Sequence, residues 1–496
     1  MPMSQPVISQ ISGIAILAYF FAILLIGLTA SRNADGDTSM YFLSGRKLGW
    51  FSIGVSLVAA DALCGHVMGV KGPFADAMAI DLELMGILGL AFLGWGTGAS
   101  FGFVNSFTTN DSLQRMYGGR VGTFVSLLFI STYLLVRLSL VLLLGSFLVG
   151  YFSNWDVNAA IAVTVLISGI YSITGGFSAV VNTQIVQAVF MFLGLAALIV
   201  GILGAPLALQ TEALGTKSVF VSGIQGANHF PWLAIVIGVP VVAFWLWLTD
   251  QYVLQHVFSA RSKRDLRKGI TFVAVAKGAA VGALVVLLFR TPMGSYVGTA
   301  RFFLPSFLRV VVLIGIFSAI MSSLSGLFNS TSALFTMDIY RRRKPKAEER
   351  KLVLVGRLST TVVVLISLLW MPLVALIGWQ GARPLQSLLA CFAAVVASVF
   401  LTGVFWKRAT PVAAIIAIFV GIASAAFRVI LDKILNPIRI QNGILLWLLR
   451  THYLNFAAID FILCILVIVT VSYFAPSVSS MNGFQEAQRN GVINYN

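Results

Sequence analysis

Ser318-Ala319-Ile320-Met321-Ser322-Ser323-Leu324-Ser325-Gly326-Leu327-Phe328-Asn329-Ser330-Thr331-Ser332-Ala333-Leu334-Phe335-Thr336-Met337-Asp338-Ile339-Tyr340 is a stretch without a charge until Asp338, yet studded with hydroxyls. Upstream it continues into Leu308-Arg309-Val310-Val311-Val312-Leu313-Ile314-Gly315, so the apolar run is long enough for a helix that crosses a bilayer, about 20 residues. Ala319, Ser322 and Ser323 stand at i, i+3 and i+4 and therefore share one face of that helix. Two hydroxyls and a carbonyl on one face are the neutral oxygens that a hard monovalent cation wants. The same residues also suit close packing between membrane helices, where Ser and Ala are favoured. Composition alone leaves both readings open.

The rest of the chain supports a membrane setting. Of its 496 residues 58% are hydrophobic and 10% charged, and the mean hydropathy is +0.94. Soluble domains carry about 25% charged residues, which excludes a water-soluble globule. Residues 157–211, 358–382, 384–406, 409–427 and 461–485 contain no charge at all. Apolar runs separated by charged or Gly/Pro-rich breaks predict thirteen helices, at 8–30, 49–70, 80–104, 121–152, 157–174, 179–205, 231–254, 269–289, 306–334, 352–378, 384–406, 410–431 and 454–475. The first run is too long for a signal-peptide core and reads as a true span.

The net charge of +16 reflects membrane topology rather than affinity for nucleic acid. With the N-terminus outside, the predicted inner loops hold 20 Lys and Arg, the outer loops 8 and the spans 5. That asymmetry predicts an outside N-terminus, a cytoplasmic C-terminus and a tail at 476–496. Three cysteines inside apolar segments and four scattered histidines support neither a disulfide framework nor a zinc site. No loop is large enough for a soluble domain, so the function is expected within the membrane.

Asp61, Glu83, Arg137, Asp250 and Lys277 fall within or at the ends of otherwise apolar segments. An unpaired charge at a helix centre costs about 2.5–3.5 kcal/mol on insertion scales, so such groups face a bundle interior and pair with one another. Asp61 and Glu83 are the anions expected to neutralise Arg137 and Lys277. This set reads either as a ligand-free ion-pair network or as a polar site for a small solute. Arg309, Arg357 and Arg428 read as snorkelling or packing residues. Small and polar residues at mid-depth in 55–66, which include Asp61, Gly65 and His66, and Gly238-Val239-Pro240 ahead of Trp245–Asp250 are the interruptions expected of broken transporter helices.

At these segments the chain resembles the sodium:solute symporter family, and particularly its sodium–sugar branch. The matching stretches are Tyr41-Phe42-Leu43-Ser44-Gly45-Arg46-Lys47-Leu48-Gly49-Trp50, Gly175–Val181 with Gln187, Thr249–Gln255, the run from Ala319 to Tyr340, Val355-Gly356-Arg357 and Phe405-Trp406-Lys407. The resemblance implies an all-α polytopic fold with a five-plus-five inverted repeat. It sets an extra helix at 8–30, the repeats at 49–205 and 231–406, and additional helices at 410–475. It implies sodium held by the carbonyls of Ala59, Ala62 and Ala319 and the hydroxyls of Ser322 and Ser323. A second sodium in some members uses an Asp that is Gln184 here, after Thr183, so one sodium is expected.

The solute site implied by the resemblance comprises Asp61, His66, Glu83, Arg137, Lys277 and Gln386. Leu246 and Ala243 stand where sugar-transporting members carry a gating Tyr and its neighbouring Asn, and His66 replaces a Gln, so glucose and galactose are disfavoured. Arg137 stands where sialic-acid-transporting members grip a carboxylate, and guanidinium is the natural bidentate partner for one. A carboxylated sugar is therefore expected ahead of a neutral sugar or polyol. The expected protein is a non-enzymatic, monomeric symporter of the plasma (inner) membrane, with a small solute, Na+ and lipid as partners and no nucleic acid. Proton coupling through Asp61 and His66 and a non-transporting sensor are the competing readings.

Overall fold

The computed structural model describes residues 10–31, 36–61, 78–95, 106–203, 232–290, 304–377, 382–434 and 451–474, the side chains of 10–12, 61, 78–84, 202, 283–290, 382–383 and 431–434 excepted. The elements in chain order are α1 (Gln10–Ala30), α2 (Thr38–Leu43), α3 (Trp50–Asp61), α4 (Met78–Trp95), α5 (Asn110–Tyr117), α6 (Gly119–Phe152), α7 (Val157–Leu203), α8 (Ala234–Thr249), α9 (Gln251–Phe258), α10 (Lys263–Arg290), α11 (Ser306–Ala333), α12 (Glu349–Ile377), α13 (Ala382–Phe405), α14 (Pro411–Ile434) and α15 (Tyr453–Phe474). Among the described residues nine helices are long and apolar enough to cross a membrane. Strand pairing there is confined to one isolated bridge between Leu48 and Ala260. Each interval predicted from sequence contains a helix, in whole or in part.

A continuous helix of 47 residues would measure about 70 Å, more than twice the hydrocarbon thickness. α7 meets this by breaking at Gly176, whose φ of +55° and ψ of −144° leave the helical region. Only glycine tolerates that backbone, and a Cβ there would strike the Tyr41 carbonyl. The break separates the two predicted spans 157–174 and 179–205. The second departure from a simple helix is at α8. The sequence predicts one helix over 231–254, but the chain turns extended at Asp250 (φ −72°, ψ 124°) and restarts as α9 with Asp250 as its N-cap.

α11 forms the centre. Every residue from Val312 to Ala333 is buried, so no face of this stretch is left to lipid. It packs on α7, α6, α12, α3, α9 and α1. A second group is built by α3, α4 and α10, with α4 lying also against α8. Outward-facing side chains such as Ile14, Val236, Leu369 and Leu376 are more than half exposed. These are the lipid-facing surface of a multi-pass membrane protein, whose backbone groups are satisfied within helices.

The loops predicted to lie inside converge at one end. Leu48 and Arg261 exchange backbone hydrogen bonds with Ser259 and Leu48 (3.0 and 2.9 Å). Arg46 donates to the Ser106 carbonyl (3.1 Å), Arg342 to the Gly119 carbonyl and the Thr123 hydroxyl, and Tyr117 to the Val399 carbonyl (3.1 Å). At the same end Asp338 is buried and accepts from Thr108 (2.7 Å) and Ser126 (2.6 Å).

Candidate functional site

The site has two poles. At the first, serines along α11 divide into two sets. Ser318 donates to the Ile314 carbonyl (2.8 Å), Ser325 to Ser322 (3.1 Å) and Ser332 to Gly356 (2.7 Å), and Ser330 reaches the Gln255 side chain (3.1 Å). The first two are back-bonds to the preceding turn, the usual way a helix absorbs a hydroxyl in apolar surroundings, and the other two reach neighbouring helices. Ser322 and Ser323 differ. Both are buried, and neither hydroxyl finds a partner among the described residues. A buried polar group left unsatisfied costs about 1–3 kcal/mol, so two adjacent ones mark a place where oxygens await a ligand. Ala319 lies one turn earlier on the same face.

The end of α3 comes to this face through Tyr252. Its hydroxyl donates to the Ala60 carbonyl (2.7 Å), while its ring fills the space over Gly326, where a Cβ would collide with it. Ala59 is buried beside Val55 and Ala188. Ala62 and His66 lie outside the described residues. Asp61 ends α3 and Glu83 lies on α4, and both side chains are likewise outside. The donor set fits sodium: neutral oxygens with no competing internal hydrogen bonds at Ser322 and Ser323.

At the second pole Arg137 closes a π-helical turn, Tyr133–Arg137, inside α6. Its Nη1 lies 2.6 Å from Asp250 Oδ2, and both residues are buried. Tyr133 donates its hydroxyl to Asp250 Oδ1, and the Tyr252 amide caps against the same oxygen (3.3 Å). The guanidinium lies 5.0, 5.3 and 5.5 Å from the ring centroids of Trp245, Tyr252 and Tyr133, an aromatic cage for a delocalised cation. The pairing expected with Asp61 and Glu83 involves side chains outside the described residues. The structure gives Arg137 an ion-pair partner that the sequence reading did not name, Asp250. The reason lies in local geometry: π turns in both α6 and α8 (Trp245–Thr249), with the extended residue at 250, turn the two side chains toward each other.

Lys277 is buried with Nζ 4.5 Å from the Trp247 ring centroid. Gly86 of α4, three residues after Glu83, abuts both Trp247 and Lys277. Gln386 is half-buried near the start of α13. Six residues on, Phe392 meets Trp245 edge-to-face at 5.2 Å. No hydrogen bond joins Gln386 to the Arg137 cluster among the described residues. Sequence reasoning missed Tyr133, Trp245, Tyr252 and His256 as site residues, because aromatic rings in apolar segments look like ordinary core. Asp250 stood out as an in-span charge but was left without a role.

Comparison with known proteins gives the family. The family profile described as "Sodium:solute symporter family" matches residues 41–421. The chain belongs to the sodium:solute symporter family. This symporter is 26% identical over 535 residues to sodium/glucose cotransporter 1 of Ovis aries, covering 94% of this chain and 79% of the relative. It is 28% identical over 527 residues to sodium/myo-inositol cotransporter 2 of Homo sapiens, covering 94% and 77%. A solved Na+-coupled sialic acid symporter, in a substrate-bound outward-open state, superposes with a TM-score of 0.70 at 19% identity, over 94% of this chain and 98% of that one. The symporter therefore has the all-α, five-plus-five inverted-repeat fold, and sodium is its coupling ion. Its cargo is a small solute, as the family's is.

Proposed function

We propose that this symporter imports a neutral sugar or polyol with one sodium ion by alternating access. The observation that carries the reading is the pair of buried, unpartnered hydroxyls of Ser322 and Ser323, facing the α3 end across Tyr252. Sodium would be held there with the carbonyls of Ala319, Ala59 and Ala62, and would tie the broken helix to α11. Gln184 supports a single ion. Its amide donates to the Ser322 carbonyl (3.4 Å), so the position filled by a carboxylate in two-sodium members is a neutral hydrogen-bonding group.

The second pole argues for a neutral cargo. Arg137 carries a charge already met by Asp250, so a substrate carboxylate would have to displace a buried counter-ion, and breaking a buried pair costs about 3–5 kcal/mol. A hydroxyl needs no such exchange. Beside the pair, the Trp245 indole N–H is fully buried with no partner among the described residues, a donor aimed for an acceptor. Lys277 on Trp247, Glu83 and Gln386 would complete the pocket, with Asp61 and His66 at its α3 side. The relatives transport glucose and myo-inositol by name, which fits a polyhydroxylated cargo. Leu246 and Ala243 in place of the gating Tyr and its Asn would change which member of that class fits.

Two repeats, 49–205 and 231–406, would rock about this site. The N-terminus would face outside and the C-terminus the cytoplasm, in the plasma membrane, because the convergent loops carry the basic excess. One charge moving down 100 mV yields about 2.3 kcal/mol. A tenfold sodium gradient adds about 1.4 kcal/mol, and the sum of about 3.7 kcal/mol sustains several hundred-fold accumulation.

The test is uptake into proteoliposomes of labelled hexoses, inositols and sugar acids, driven by a sodium gradient or by a proton gradient. Sodium-driven accumulation of a neutral polyol is the expected result. Accumulation driven by protons alone, or of sugar acids only, would overturn the reading.

A further inference from the structure

α9 is an unusual segment to find inside a membrane protein. All eight of its residues are buried, yet four of them carry polar groups. Each polar side chain reaches a different neighbour. Gln251 receives Thr109 and donates to the Phe107 carbonyl, and Gln255 joins the Phe42 carbonyl (2.7 Å) to Ser330 (3.1 Å). Tyr252 and His256 stand four residues apart and so share one face. On that face Tyr252 bonds the α3 end at Ala60 (2.7 Å), and His256 Nε2 lies 3.2 Å from Gln184 Oε1. Gln184 Nε2 in turn lies 3.4 Å from the Ser322 carbonyl. Both ring nitrogens of His256 face acceptors, Nδ1 the Tyr252 carbonyl (3.2 Å) and Nε2 the Gln184 amide oxygen, and a neutral imidazole donates to one of the two. The opposite terminus of the same short helix is capped by Asp250, the counter-ion of Arg137.

Sodium pole and solute pole are therefore joined by one rigid element two turns long. Its sodium-side attachment runs Ser322 carbonyl, Gln184, His256, and Ser322 is also the residue whose hydroxyl awaits the ion. Its solute-side attachment is the Asp250–Arg137 pair.

We propose that the Gln184–His256 pair transmits sodium occupancy to the solute site. Drawing in the Ser322 oxygens shifts the carbonyl that Gln184 holds. The displacement passes through His256 to α9, and α9 resets Asp250 against Arg137. Gln184 and His256 are thus positioning residues that touch neither ligand. This inference deepens the function proposed above and rests on sodium binding at Ser322 and Ser323. By linkage the coupling is reciprocal: solute raises sodium affinity by the factor by which sodium raises solute affinity.

The experiment measures solute affinity of the purified, full-length protein at saturating sodium and in choline, alongside the thermal shift produced by sodium alone. The wild type should show a sodium-dependent affinity change within the ~5–150-fold span of coupled sites. Absence of any change in the wild type would sink the sodium-coupled reading itself. Given a wild-type change, Gln184→Leu or His256→Leu should reduce it below about twofold while the sodium-only thermal shift persists. The double variant should lose no more than either single one, because both act through one contact. His256→Gln, whose amide can keep a hydrogen bond to Gln184, should keep the change, and His256→Met, of similar bulk without that polar group, should lose it. The Gln and Met pair decides the matter if the leucine variants do not fold. Retention of the wild-type change in His256→Met, additive losses in the double variant, or failure of His256→Gln to keep it would each overturn the proposal.

Discussion

The two poles of the site solve the problem of polarity in an apolar interior in opposite ways. On α11, Ser322 and Ser323 sit on an unbroken helix, fully buried, and their hydroxyls are satisfied by nothing among the described residues. Around Arg137 the backbone itself is irregular, with π turns in α6 and α8 and an extended residue at 250, and the charges satisfy each other. The first pole is incomplete without a ligand. The second is balanced in charge, while the buried Trp245 N–H beside it has no partner among the described residues. This difference is the ground on which the cation is proposed at the serines and a neutral, hydroxyl-bearing cargo at the aromatic cage.

The most damaging way to break the comparison is to remove half of the satisfied pole. Asp250→Asn leaves Arg137 buried without its counter-charge and removes the anionic cap of α9. It should destabilise the protein by about 3–5 kcal/mol, as loss of one partner of a buried pair does. Adding Arg137→Gln should recover a substantial part of that loss in thermal unfolding. Losses that simply add would show that the pair is not the unit described here. A smaller effect is expected at Trp245→Phe, which keeps the ring on the Arg137 guanidinium and deletes the N–H. Solute affinity should fall about five- to tenfold, in keeping with one hydrogen bond of about 1 kcal/mol, with the sodium response unchanged. An unaltered affinity would remove Trp245 from the solute pocket.

The smallest effect lies away from both poles, at the basic end. Asp265 accepts from Ser262 (2.7 Å), Arg261 (3.2 Å) and the Trp50 amide (3.3 Å). The Ser262 hydroxyl, foremost, and Arg261 hold its carboxyl below the usual carboxylate range. A depressed value stabilises the fold at every pH above the unfolded value, and the gain is lost as pH falls through the folded one. Wild type should therefore exceed Asp265→Asn slightly in thermal stability at neutral pH. The gap should close on acidification below the ordinary carboxylate range. A gap independent of pH would mean that the anchor does not depend on charge.

What the sequence revealed of this arrangement, and what it hid, follows from range. Most of the spans, the break between 174 and 179 and the spacing of Ala319, Ser322 and Ser323 are local patterns that the described residues keep, while the span expected over 231–254 is interrupted at Asp250. The candidate cation face was legible because helical spacing puts Ala319, Ser322 and Ser323 together, although only the resemblance gave it an ion. The solute pole was only half legible. Arg137 and Asp250 both stood out as charges inside apolar runs, but their pairing joins residues far apart in the chain through two π turns that leave no sequence signature. Tyr133, Trp245 and Tyr252 were invisible for another reason, since a ring that cages a guanidinium and a ring that fills a core have the same composition. Gln184 was noticed for the carboxylate it lacks. The contact it makes with His256 depends on α9, whose separate existence the sequence does not announce.

Sodium binding at α11 is read most directly as the rise in unfolding temperature when choline is replaced by sodium in the absence of solute. Wild type and Ser318→Ala, whose hydroxyl is already tied to Ile314 and Tyr19, should show the same rise. Ser322→Ala with Ser323→Ala should fold and show none, with sodium-driven uptake lost as well. A full sodium response in the doubly substituted protein would contradict the assignment of the ion to these two serines.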